Sequence, residues 1–205
     1  SIENFLTTPP GDGAWILKDS FGYENGDEGV IYLSYYDVSF LNSSYAVGFI
    51  FDNTDSYVRN YQNDLSGELT FLNDNNTENV SYKTTYESQA SELISGVGTY
   101  FKYSGEAYVL NIYVNNELKH TQSGTGPYYG FHTIKLSNEI PVQKGDNFTV
   151  EICKASIPIL SQSRQHYIKN TTFINLGSGW EDISSENRTV SLKVYTKELG
   201  IYTED

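Results

Sequence analysis

The stretch Val109-Leu110-Asn111-Ile112-Tyr113-Val114-Asn115-Asn116 decides the fold class. Leu110, Ile112 and Val114 fall on one side of an extended chain, and Asn111, Tyr113 and Asn115 on the other. A period of two describes a strand with one packed and one solvated face, as in an antiparallel sheet. Asn115-Asn116 then turns the chain, and residues 117–122 return as the second arm of a hairpin. The same alternation recurs downstream. His132, Ile134 and Leu136 alternate with Thr133 and Lys135, and Phe148, Val150 and Ile152 with Thr149, Glu151 and Cys153. Val190, Leu192 and Val194 alternate with Ser191, Lys193 and Tyr195.

Upstream the pattern is looser. Strands are expected at residues 14–17 (short and buried), 30–36, 45–51, 68–72 and 98–103, with a turn-rich stretch over 52–66 and a turn at Asp74-Asn75-Asn76. Residues 81–95 are ambiguous; 88–94 reads either as one helical turn or as an irregular edge. Strands at short intervals separated by turn residues predict an all-β chain of two antiparallel sheets packed face to face, a β-sandwich or jelly roll.

Composition agrees and excludes several function classes. Tyr alone contributes 18 of 205 residues, and aromatic and β-branched residues favour strands. Thirteen Lys and Arg against 26 Asp and Glu give a net charge of −13, which opposes binding to nucleic acid or to an anionic membrane surface. No apolar run is long enough to span a bilayer. One cysteine rules out a disulfide scaffold and a cysteine-rich zinc site. The absence of Met marks the chain as a processed or excised piece, with an upstream region expected. Six Asn-x-Ser/Thr sequons, at Asn42, Asn75, Asn79, Asn147, Asn170 and Asn187, are glycosylation candidates in a secreted protein.

Gly13-Ala14-Trp15-Ile16-Leu17-Lys18-Asp19-Ser20-Phe21-Gly22, followed by Gly26-Asp27-Glu28-Gly29, resembles the C-terminal signature of papain-like cysteine peptidases. In that family a strand ends in Asn-Ser-Trp-Gly, and a Trp-Gly turn and a further Gly open the next strand. Gly22, Gly26 and Gly29 match. Asp19 stands where the family has the Asn that orients the catalytic His, and Phe21 and Asn25 stand where it has Trp. The resemblance implies that residues 1–44 are the end of a degenerate peptidase domain. The family order is Cys, then His, then Asn, whereas His120, His132, Cys153 and His166 all follow Asp19 here. No catalytic residue is therefore assigned, and the chain by itself is expected not to be an enzyme. Cys153 reads as a small strand residue, because nothing in the sequence places a base beside it.

From residue 45 onward the chain resembles the lectin-like β-domain that follows degenerate papain-like domains in archaeal and bacterial adhesin-like surface proteins. The matching stretches are Tyr61-Gln62-Asn63-Asp64, Gly98-Thr99-Tyr100-Phe101, Gly130-Phe131-His132-Thr133-Ile134, and Phe173-Ile174-Asn175-Leu176-Gly177-Ser178-Gly179-Trp180. The implied organisation is a sandwich over 45–197 and a linker over 198–205. Composition is closest to methanogen surface proteins.

Two aromatic features suit a ligand edge. Tyr128, Tyr129 and Phe131 sit in a Gly/Pro-bracketed loop, and Trp180 sits beside Gly179, Glu181 and Asp182. The plainer alternative is that these rings cap the core, since aromatics dominate core packing. Asp52, Asp55 and Asp74 are weak calcium candidates, without a complete loop motif. No cofactor other than, at most, calcium is expected.

These readings combine into an extracellular, adhesin-like surface module, possessing glycosylation sequons and binding a glycan or protein on a partner cell, with the papain-like domain and further surface modules in the same parent chain. The alternative is the C-terminal part of a secreted papain-like cysteine peptidase in which the sandwich serves as a substrate-targeting accessory. A third reading is a structural spacer in a surface stalk.

Overall fold

The computed structural model describes residues 8–18, 20, 22–38, 48–49, 57–65, 67–72, 80–161 and 167–199. The chain divides into two compact units, Ser1–Thr54 and Asp55–Asp205.

In the first unit β1 (Ala14–Lys18) pairs antiparallel with β2 (Val30–Ser34), with Trp15 opposite Leu33 and Leu17 opposite Ile31. The turn between them needs Gly26: its φ is +65°, and a Cβ there would stand 2.3 Å from the Val30 carbonyl oxygen. The strand expected at 14–17 is present but not buried, since Trp15 and Ile16 are exposed. A two-stranded ribbon alone cannot enclose a core. The second strand ends at Ser34, before Tyr35 and Tyr36, because the chain turns there. Asp19 and most of the strand expected at 45–51 lie outside the described residues.

The second unit is the sandwich. Its strands are β3 (Arg59–Gln62), β4 (Glu68–Leu72), β5 (Val80–Glu87), β6 (Glu92–Phe101), β7 (Ala107–Val114), β8 (Glu117–Thr125) and β9 (Gly130–Val142). There follow β10 (Asn147–Lys154), β11 (Ile157–Ser161), β12 (Thr172–Asn175), β13 (Trp180–Asp182), β14 (Arg188–Val190) and β15 (Leu192–Glu198). All described pairings are antiparallel. Among the described residues three sheets result, in the orders β13-β12-β5-β10-β7-β8, β3-β15-β6-β9 and β14-β11-β4.

The predicted alternations set the core. Leu110, Ile112, Phe148, Val150, Ile152, Leu192 and Val194 are fully buried, each contributing roughly 1.5–3 kcal/mol by leaving water. The two larger sheets meet through these faces. Tyr61 stacks edge-on against Phe148 at 5.1 Å, the Tyr82 hydroxyl bonds Thr99 Oγ1 at 2.8 Å, and the Tyr86 hydroxyl donates to the Leu192 carbonyl at 2.6 Å. Gln122 closes one side by accepting from the Ser137 N–H and donating to the Lys135 carbonyl. The hairpin turn is as expected: Asn115 and Asn116 have φ of +50° and +67°, the left-handed pair that a two-residue turn requires.

Two stretches depart from the sequence expectation. Residues 59–62, placed in a turn-rich region, form β3. Residues 81–95, ambiguous in sequence, hold all but the first residue of β5 and the start of β6, and among the described residues no helical turn occurs there. Inner positions of both strands are polar. Glu92 is buried, held by Arg59 at 3.3 Å, by Thr196 Oγ1 at 2.8 Å and by the Tyr61 hydroxyl. A second buried charge, Lys154, faces Glu106 at 3.3 Å inside the core.

Candidate binding site

The sheet β3-β15-β6-β9 turns one face to the core and one outward. Tyr61, Val97, Ile134 and Val194 are the inner residues. The outward row beside them is Gln62–Lys193–Gly98–Thr133, and the next is Asn60–Tyr195–Gly96–Lys135. Tyr100 and Phe131 pair in the row beyond. In the middle of a central strand, Gly96 and Gly98 leave space that neighbouring rings fill. A Cβ on Gly98 would stand 2.5 Å from Phe131 Cζ and 3.0 Å from Tyr195 Cε2. One on Gly96 would stand 2.9 Å from the Tyr57 hydroxyl oxygen. Tyr57 stacks on Tyr195 with centroids 5.1 Å apart, and Tyr100 meets Phe131 edge-on at 5.2 Å. The outer face thus carries a run of rings lying over glycine.

Polar groups edge that run. Lys193 Nζ stands 6.0 Å from the Phe131 centroid and donates to Gln62 Oε1 at 2.8 Å, which also accepts from Asn60 Nδ2 at 2.9 Å. Beneath it Asp64 is buried; its Oδ2 accepts from Ser191 Oγ at 2.6 Å. Asp64 Oδ1 accepts no hydrogen bond, and the Lys193 ammonium is 3.4 Å away. Burial first, and the Asp64 charge second, push the phenols of Tyr100 and Tyr195 above their usual range. These rings stay neutral hydroxyl donors at neutral pH.

At the end of β9 the expected aromatic loop is presented to solvent. Tyr128 is 58% exposed, Tyr129 68% and Phe131 37%. The loop is held rather than loose. Ser104 Oγ donates to the Pro127 carbonyl at 2.8 Å, His132 Nε2 lies 2.8 Å from the Tyr128 carbonyl, and the Tyr128 ring stacks on His132. Tyr128 and Tyr129 are therefore not part of the core, while Phe131 lies along the sheet. Trp180 is on another sheet, at the β13 edge, with Lys83 Nζ 4.0 Å from its ring centroid. The structure brings Tyr128, Tyr129 and Phe131 together and leaves Trp180 apart. Asp64, Lys193, Tyr195 and the glycine pair were not singled out as site residues; the one available signal was two glycines inside a strand, which marks a close approach.

Asp52, Asp55 and Asp74 lie outside the described residues, as do Asn42, Asn75, Asn79 and His166. Among the described residues, no group of three His, Cys, Asp or Glu side chains is placed to hold a metal ion. Asn147 and Asn170 are exposed, Asn170 in a left-handed turn, and Asn187 is half-buried. Cys153 pairs with Ser81 and Val109 on the outer face of its sheet, whereas His120 pairs with the core residue Ile112 on the inner face. Among the described residues these two cannot form a thiol–imidazole pair.

Comparison with known proteins gives one family and a shared fold. A family profile described as "Lectin like domain" matches residues 60–196. The cysteine protease and lectin-like domains of Cwp84, a surface layer associated protein of Clostridium difficile, superpose with a TM-score of 0.71 at 22% identity, over 97% of this chain and 49% of that one. The clostridial cysteine protease Cwp84 after propeptide cleavage gives 0.70 at 22% identity, over 97% and 55%. This chain therefore spans about half the length of those it resembles. No curated protein matches. Among the described residues no helix is long and apolar enough to cross a membrane.

Proposed function

The chain belongs to the family of lectin-like domains, and we propose that it is a non-catalytic, adhesin-like binding module of the cell surface that holds a glycan or protein ligand against the rim of Tyr128, Tyr129 and Phe131. The observation that carries this is the presentation of Tyr128 and Tyr129 on a braced loop next to Phe131. A rigid exposed ring offers contact area at small entropic cost, and its hydroxyl adds a directional bond. Separation of Cys153 from His120 on opposite faces supports the lack of catalysis. A surface location is supported by the surface-layer association of Cwp84 and by the acidic, sequon-bearing sequence.

The test is binding of the chain to whole cells and to a glycan array, with and without calcium. Tyr129→Ala is expected to weaken binding about tenfold, roughly 1.4 kcal/mol, while leaving the thermal melt unchanged. A destabilised variant, or one that binds as well as the parent, contradicts this reading.

A second reading is favoured by the cysteine protease domain that accompanies the lectin-like domain in Cwp84 and by the matching Gly22, Gly26 and Gly29. Here the sandwich is the accessory, substrate-targeting part of a secreted papain-like cysteine peptidase. The parent gene separates the two: a Cys and a His encoded ahead of Ser1 favour the peptidase. Under either reading this chain turns over no peptide substrate by itself. Turnover abolished by Cys153→Ala would overturn both.

A further inference from the structure

The ring-covered face of β3-β15-β6-β9 differs from the rim in chemistry. We propose that the strip Tyr57–Tyr195–Phe131–Tyr100, edged by Gln62 and Lys193, is a platform for an acidic oligosaccharide whose uronic-acid units stack on the rings and set a carboxylate on Lys193. This rests on the reading of the chain as a binding module and names the ligand class for it.

Three observations carry the inference. First, Phe131, Tyr195 and Tyr57 come close over the sheet because Gly96 and Gly98 carry no side chain there, and Phe131 meets Tyr100 edge-on. A pyranose ring presents a flat C–H face, and a flat aromatic surface fits that shape better than an aliphatic side chain does.

Second, hydroxyl-binding groups border the rings in fixed positions. Lys193 is oriented by Gln62 Oε1 at 2.8 Å and by the Asp64 carbonyl at 3.4 Å, so it meets a ligand without rearrangement. A lysine beside the central ring is out of place in a protein–protein interface, where lysine is depleted from the core.

Third, the charge is complementary. The chain carries −13 overall, yet the two outward rows hold Lys193 and Lys135 and no acidic residue, with Asp64 buried below. An acidic polymer repelled by most of the molecule meets two lysines there, Lys193 sharing its charge with the Asp64 carboxylate 3.4 Å away. The source of the negative charge follows from reach. Lys193 Nζ lies 6.0 Å from the Phe131 centroid, within range of a carboxylate borne on the stacked sugar itself.

The experiment is titration of the chain with galacturonate, glucuronate and mannuronate oligomers and with their methyl esters, which keep the ring and lose the charge. One acid series is expected to bind, at least about tenfold tighter than its ester, and to weaken as salt rises. Lys193→Met should equalise acid and ester. Gly98→Ala should weaken both by displacing Phe131, and Lys144→Ala should change neither. Circular dichroism establishes that each variant is folded, and Tyr195→Ala replaces any that is not. Equal binding of acid and ester overturns the inference, as does binding of none of the acids. If whole cells still bind through Tyr129 in either case, the platform alone has failed. Loss of cell binding by the unaltered chain instead removes the binding-module reading beneath it.

Discussion

Glu106→Gln should cost far more stability than Lys154→Met, although the two side chains form one ion pair. Glu106 is the hub. Its Oε1 accepts from the Ser156 N–H at 2.9 Å, from Ser156 Oγ at 2.7 Å and from Lys154 Nζ at 3.3 Å; its Oε2 accepts from the Lys102 N–H at 3.0 Å. Lys154 is fully buried, bonded also to Ser156, with Phe101 5.5 Å from its ammonium. Burial brings its pKa down from 10.5 to about 8, with Glu106 opposing the fall. That displacement corresponds to about 3 kcal/mol against the folded cation at neutral pH. Methionine at 154 removes this burden and leaves Glu106 three donors, so about 1 kcal/mol either way is expected. Glutamine at 106 strands a buried cation and turns an amide N–H₂ toward groups that themselves donate, at about 3–5 kcal/mol. Urea unfolding followed by circular dichroism reads the difference as a shift in midpoint at constant slope. The exposed pair Lys119–Glu117 is the comparison, because Glu117→Gln should change stability by under about 1 kcal/mol. If Lys154→Met proves as damaging as Glu106→Gln, the carboxylate is not the hub and the argument fails.

Stability should rise with pH before it falls. Below about 8 Lys154 is charged folded and unfolded, so its full burden is present; between about 8 and 10.5 the folded state sheds the proton first and gains stability. Tyr82 and Tyr86, held up chiefly by burial, stay neutral in the fold while the unfolded chain ionises above about 10, and stability then declines. A melting temperature that drops steadily from pH 7 to 10 contradicts this, and in Lys154→Met the rise should vanish. Gly126→Ala puts a Cβ 2.4 Å from the buried Phe101 ring and should lower stability by about 1–3 kcal/mol, measured by thermal melt. Asn116→Ala should lower it by about 1 kcal/mol, because alanine pays for φ near +67° without the local hydrogen bonds open to asparagine.

Period-two alternation was readable wherever the inner face was aliphatic. The β7–β8 hairpin and β10 lay open in the sequence for that reason, and the turn at Asn115-Asn116 confirmed its own register. β5 escaped because its inner face is Val80, Tyr82, Thr84 and Tyr86, and the two tyrosine hydroxyls find their partners only on other strands, at Thr99 and Leu192. β3 and the start of β6 escaped for a related reason. Glu92 and Arg59 look like surface residues until the fold pairs them. The first strand misled in the other direction, since an apolar run such as Ala14-Trp15-Ile16-Leu17 says nothing of what covers it. At the site, the loop of Tyr128 and Tyr129 was visible through its Gly and Pro brackets. Asp64 and Lys193, 129 positions apart, are joined only by β3 pairing with β15.

The glycine pair separates what the fold requires from what its surface is for. β6 is hydrogen-bonded on both sides, and Val97, Thr99 and Phe101 already anchor it inward. An ordinary sheet residue would serve at 96 and 98, and each glycine in a strand interior is worse than alanine by roughly 0.5–1 kcal/mol. Neither glycine has a positive φ, so the backbone does not demand them. What they permit is the low seat of Phe131 and Tyr195, and a rule broken locally without gain to the fold points to a surface role. Gly98→Ala therefore has two readouts that move independently. The atoms in its way are the ends of two side chains that can swing outward, so stability should stay within about 1 kcal/mol while ligand binding falls. A variant that loses stability and keeps its binding would make the pair a packing device and leave the platform without its foundation.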